Sequence, residues 1–127
     1  MPNIFVFTTN VSDGPITYNL EELGRALREA TATALGDTEP NNVSVLKIKL
    51  SGVNNMTSMQ IFAVGNSTPE RKKKLKTWAA LLSRAWRAFA GQYNYEWVDN
   101  VGVWPTLVDG YWMMASEKEI QELIRII

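Results

Sequence analysis

The chain is 127 residues long, enough for one hydrophobic core and too short for two. Thirteen basic side chains balance thirteen acidic ones, so the sequence lacks the electrostatic footprint of a nucleic-acid binder. With no cysteine and no histidine, it cannot form disulfides, thiol nucleophiles, zinc sites with Cys or His ligands, or Ser-His and Cys-His catalytic pairs. Proton transfer near neutral pH must then come from a shifted carboxylate, lysine or tyrosine, or from the chain's own amino terminus. Nothing in the pattern calls for a cofactor or a metal. No apolar stretch approaches the roughly 20 residues that span a bilayer. The start, Met1-Pro2-Asn3-Ile4-Phe5-Val6-Phe7, has no basic region or small-residue cleavage site. A cytoplasmic protein with no membrane partner is expected.

Ile4 to Thr9 is a short apolar, β-branched and aromatic run, expected as a strand buried on both faces. Asp13-Gly14-Pro15 breaks it. Asn19 is placed to cap a helix, with Glu22 three residues on as in a capping box. Leu20, Leu23, Leu27, Ala30 and Ala34 form that helix's apolar stripe, and Gly36 ends it where a left-handed residue is wanted. Val43 to Leu50 alternates as a second strand, with Leu46, Ile48 and Leu50 against Lys47, Lys49 and Ser51. Gly52 to Asn55 is a turn, and Gln60 to Val64 a third strand.

A second helix starts at Thr68, with Pro69 at its first position and Glu70 in its first turn. The run Arg71-Lys72-Lys73-Lys74 reads as its solvated face, and Leu75, Trp78, Leu82, Ala85, Trp86 and Phe89 as its buried one, with Gly91 at the close. Tyr93 to Val98 is expected as the fourth strand, followed by a loop rich in Val, Gly and Trp. Tyr111 to Met114 would add an edge strand, and Ser116 with Glu119 caps a last helix through Ile120, Leu123 and Ile124.

Strand–helix–strand thus occurs twice, over about residues 3–50 and 60–98, in a single domain 1–127 with a C-terminal extension 103–127. The expected fold class is α+β: a β-α-β-β-α-β subunit with a four-stranded mixed sheet and both helices on one face. The opposite sheet face is left apolar and must be buried against another copy or a partner. Element order alone also allows an unrelated dimeric ferredoxin-like barrel.

Pro2 is the candidate catalytic residue. Removal of the initiator methionine leaves a secondary amine, the one group in this chain that can act as a base near neutral pH without an imidazole. An α-amino group titrates near pH 8, and burial in an apolar pocket disfavours its charged form. Many proteins begin Met-Pro without any such role, so the dipeptide alone carries little weight.

The segment Met1 to Val11, ending Thr8-Thr9-Asn10-Val11, resembles the opening of the macrophage migration inhibitory factor branch of the tautomerase superfamily. Leu35-Gly36, Val43-Ser44-Val45, Val64-Gly65 and Trp97-Val98-Asp99-Asn100-Val101-Gly102 continue that likeness over about the first hundred residues. The resemblance implies a homotrimeric barrel with sites between subunits, in which the terminal proline moves a proton between carbon and oxygen of a small-molecule keto compound. Carried over residue by residue, it makes Pro2 the base, Val64 or Gly65 the backbone donor to substrate, and Asn94, Tyr95 and Trp97 contacts supplied by a neighbouring subunit. Trp104 either walls the pocket or packs as a core or interface tryptophan.

The family's two carboxylate anchors are absent. Gly36-Asp37 stands where a lysine often follows the first helix, and Gly65-Asn66-Ser67 where related enzymes carry Gly-Arg-Ser. Lys47 and Lys49 share a strand face and could substitute, or could simply be exposed charges that discourage edge pairing. The tryptophan-rich region then suits an aromatic or hydrophobic substrate better than a charged one. Two functions follow: a tautomerase or isomerase acting through Pro2, or a non-catalytic trimer of the same fold used for binding or signalling.

Overall fold

The computed structural model describes residues 2–50, 59–96, 101–109 and 116–125. The expected turn at Gly52 to Asn55, the edge strand at Tyr111 to Met114, the Trp97 site residue and the Glu119 capping side chain lie outside the described residues.

Four strands form one mixed sheet in the order β2-β1-β3-β4: β1 Asn3–Thr8, β2 Ser44–Lys49, β3 Met59–Asn66 and β4 Val101–Val108. β1 runs parallel to β2 and antiparallel to β3, while β3 runs parallel to β4. Each parallel pair requires a crossover, and the helices supply it: α2 Leu20–Leu35 between β1 and β2, α4 Leu75–Gln92 between β3 and β4. Strand–helix–strand does occur twice, but the second unit closes with β4 at Val108, past the expected limit of 98 and inside the stretch expected as a C-terminal extension 103–127.

Strand alternation divides the side chains between two faces. Ile4, Val6, Met59, Ile61 and Ala63 point toward the helices and are buried beneath Leu23, Leu27, Leu35, Trp78, Leu82, Trp86 and Phe89. The opposite face carries Leu46, Ile48, Phe62 and Trp104, exposed by 53%, 39%, 36% and 54%. In β2 the apolar residues of the alternation therefore face away from the helices. An apolar sheet face of this kind is stable in water only when something covers it.

Several local expectations are corrected. The fourth strand is Val101–Val108, the stretch expected as a loop, and residues 93–96 form a turn in which Asn94 takes a φ of 56°. Pro105 does not prevent this, because β4 lies at the sheet edge, where one missing donor is tolerated. β1 ends at Thr8, and the Asp13-Gly14-Pro15 stretch expected to break it also opens an unexpected short helix, α1 Asp13–Tyr18; Pro15 sits in its first turn, where an N–H has no helical partner to lose.

The capping box does not form. Asn19 inherits the end of α1 and its Nδ2 donates to the Pro15 carbonyl at 3.0 Å and the Tyr95 hydroxyl at 2.8 Å, while Glu22 accepts from the Tyr93 hydroxyl. The second helix is split into α3 Pro69–Lys73 and α4 at Lys74, whose Nζ donates to the Leu35 carbonyl at 2.6 Å. Other expectations hold: Gly36 closes α2 at φ 75°, and Thr68 caps α3 by accepting from the Arg71 N–H at 3.1 Å. A last helix, α5, spans Glu117–Ile124.

Candidate functional site

Pro2 is buried immediately ahead of β1, and its carbonyl accepts from the Ser44 N–H at 3.2 Å. Alternation puts its ring on the same face as Ile4 and Val6, toward the helices. The antiparallel register pairs Asn3 with Val64, and one step further sets Pro2 opposite Gly65. Val64 and Gly65 thus meet the head of β1, Val64 on the open face and Gly65 on the buried one. Three of the sequence-derived site residues converge here.

The others do not join them within one chain. The Tyr95 hydroxyl donates to the Pro15 carbonyl at 2.9 Å, which places Tyr95 and its neighbour Asn94 by α1, beyond the far end of β1. A six-residue strand is about 20 Å long, so these side chains are well outside reach of Pro2 in the same chain. Burial holds the Tyr95 phenol above its usual range, and Tyr93 is held above its own by its hydrogen bond to the Glu22 carboxylate. Trp104 lies mid-strand on the open face opposite Phe62, its Nε1 donating to Gln60 Oε1 at 2.6 Å across Gly102. A Cβ on Gly102 would meet that nitrogen at 2.7 Å, which explains the glycine.

Lys47 and Lys49 are also remote from Pro2. Lys47 pairs with Asp13 of α1, and Thr8 Oγ1 donates to the same carboxylate at 2.9 Å. Those two bonds, with Lys47 the larger influence, hold the Asp13 carboxyl below its usual range. Lys49 sits opposite Thr8, at the far end of β1. Neither lysine substitutes for the missing anchors at this end of its own chain.

The residue that sequence reasoning missed is Arg71. Expected on a solvated face, it is only 8% exposed. Its Nε and Nη2 donate to the two oxygens of Asp37 at 2.9 and 3.1 Å, and its Nη1 to the Asn66 carbonyl at 3.2 Å. Nη1 also lies 3.3 Å from where a Gly65 Cβ would stand, so the glycine admits the guanidinium to the sheet end. The bidentate bond to Arg71 holds the Asp37 carboxyl below the usual range. Nothing local marks it: Arg71 lies in the last turn of the five-residue α3, where a cation is ordinary, so its partner is set by tertiary contact alone. Arg71 borders a cavity of about 440 Å³ lined with Gly36, Asp37, Thr38, Glu39 and Asn42.

Among the described residues there is no cluster of three or more acidic side chains able to hold a metal ion, and no helix is long and apolar enough to cross a membrane.

No family model matches the sequence, and no relative among curated proteins matches it. Solved structures do match in shape. A wild-type fused 4-OT, solved as an asymmetric trimer, superposes with a TM-score of 0.64 at 18% identity, covering 94% of this chain and 98% of the other. Pt0534 inactivated by 2-oxo-3-pentynoate gives 0.58 at 17% identity, covering 93% and 98%. Malonate semialdehyde decarboxylase gives 0.59 at 14% identity, covering 98% of both chains. At these identities the likeness speaks for the fold alone: the chain shares the β-α-β-β-α-β fold of these proteins.

Proposed function

We propose that the protein is a tautomerase-like enzyme in which Pro2, made terminal by removal of Met1, is the general base for keto–enol proton transfer on a small carbonyl or aromatic keto compound. The proline nitrogen takes the proton from the carbon beside the carbonyl, the electron pair forms the enol double bond, and the proton is returned to the carbonyl oxygen. The observation that carries this reading is the position of Pro2: buried, at the head of a strand and against the end of β3, in a chain with no histidine or cysteine. Burial favours the neutral amine, which is the form that accepts a proton. The closer affinity to the macrophage migration inhibitory factor branch rests on the segment Met1 to Val11.

The assembly is a homotrimer in this reading, with the open face of Leu46, Phe62 and Trp104 lining its centre. A neighbouring subunit then brings Asn94, Tyr95 and Trp97 toward a substrate held at Val64 and Gly65, as the distance of Asn94 and Tyr95 from Pro2 within one chain requires, and Trp104 either walls the pocket or packs at the interface. A second reading, a non-catalytic trimer, is favoured by one observation: the cation at this sheet end is already engaged by Asp37.

Intact-mass measurement tests the first step, since the enzyme needs Met1 removed. Phenylpyruvate enolisation then compares the parent with Pro2→Ala. A loss of at least about a hundredfold is expected for removal of a general base; equal rates would eliminate the mechanism and leave the binding reading.

A further inference from the structure

Among the described residues, Arg71 is the one charged residue that is buried, and it stands at the head of the strand pair that carries Pro2. Resting on the reading of Pro2 as a base, we propose that the Arg71–Asp37 pair is a positioning element that keeps the Pro2 nitrogen in its neutral, proton-accepting form. The guanidinium disfavours a second positive charge at this sheet end, and the Asp37 carboxylate limits how strongly it does so.

The placement follows from the register. Pro2 and Gly65 face one another on the buried side, and Arg71 Nη1 approaches within 3.3 Å of the Gly65 side-chain position. A side chain at position 65 would press on the guanidinium, which would have to give by a few tenths of an ångström, so the glycine eases the cation's approach to the strand. A tie between α3 and the loop after α2 needs no charge, and a neutral amide would spare the burial cost. Here a full cation is used and its neutraliser, Asp37, is 43% exposed at the side chain. The pair is therefore asymmetric: the positive end is inside and the negative end is half in water, so the field toward the strand is the cation's.

Other charges also stand at this end. Asp37 and Glu39 follow α2, the exposed Glu70 shares α3 with the buried Arg71, Lys74 at the α3–α4 junction is bound to the Leu35 carbonyl, and the exposed Asp109 follows β4 beside the end of β3. Lys72 and Lys73 are exposed. The start of β2 presents Asn42 and Ser44, and the end of β3 presents Asn66, none of which titrates.

The test uses full-length protein whose chain begins at Pro2, prepared by cleaving a leader and verified by intact mass, with isotope-labelled proline followed by NMR against pH. Arg71→Gln is expected to raise the Pro2 midpoint by about half a unit to one unit, and Asp37→Asn to lower it by a similar amount. Arg71→Lys keeps the charge and should titrate near the parent. If Arg71→Gln does not fold, Asp37→Asn, an isosteric change at a half-exposed site, decides alone. Midpoints that stay within about 0.2 unit of the parent, or that move in the opposite sense, overturn the proposal. The titration is read without turnover, so equal rates in the parent and Pro2→Ala would sink the enzyme reading and leave this result to stand or fall separately.

Discussion

Thr31 of α2 and Trp78 of α4 are both fully buried, and the indole Nε1 donates to the Thr31 hydroxyl at 3.0 Å. This side-chain bond joins the two helices that cover the sheet. Thr31→Val keeps the volume but leaves the indole N–H without an acceptor in a place no water reaches. Leaving such a donor unpaired costs about 1–3 kcal/mol. With an unfolding entropy of about 2.1 cal/mol/K per residue, 127 residues give roughly 4 °C of Tm per kcal/mol, so a drop of about 4–12 °C is expected. Trp78→Phe removes the donor and lowers stability by its own lost volume. In that background Thr31→Val should cost less than about 0.5 kcal/mol, because no orphaned N–H remains. Urea unfolding at one fixed protein concentration measures all four corners of the cycle. If Thr31→Val costs the same with Trp78 as with phenylalanine, the bond is not what holds α2 to α4.

Two further outcomes are expected. The double variant Leu46→Glu with Trp104→Glu places carboxylates at sites 53% and 54% exposed in the single chain, so the subunit should fold. Burying them unpaired in an assembly would cost several kcal/mol, and light scattering should show the mass of one chain; an oligomer of unchanged mass would mean that this face is not the interface. The second concerns acid stability. Asp37 is held below its ordinary range by Arg71, so its contribution is present above about pH 4 and is lost as pH falls through the depressed folded value. Asp37→Asn should therefore lose less of its urea midpoint than the parent between about pH 6 and about pH 2.5. Parallel curves would contradict the assignment.

The parts of the fold that were legible in the sequence are those set by neighbours along the chain. The apolar spacing of Leu23, Leu27 and Ala34 declares a helix face, Gly36 a left-handed stop, and Thr68-Pro69 a capped start, and each is found. The absence of histidine and cysteine, with proline at the second position, singles out Pro2 from sequence alone. Local patterning misled where two uses of one residue compete. Asn19 and Glu22 match a capping box, yet distant tyrosines 95 and 93 take their side chains. Val101–Val108 lacks a period-2 alternation and contains Gly102 and Pro105, so nothing local marks it as a strand; pairing with β3 makes it one.

The sequence by itself determined the order of the strand–helix units, the stop of α2 at Gly36, the capped start at Thr68, and the candidate base, because these depend on short-range sterics and on which chemical groups the chain possesses. Only the tertiary structure decided which face of β2 is left open, which lysine is neutralised by Asp13, and that Arg71 lies inside beside Gly65 rather than in water. Those outcomes turn on contacts between residues more than thirty positions apart, such as Arg71 with Asp37. No periodicity in the chain encodes such a contact; it exists only once β1 and β3 have paired and the helices have closed over them.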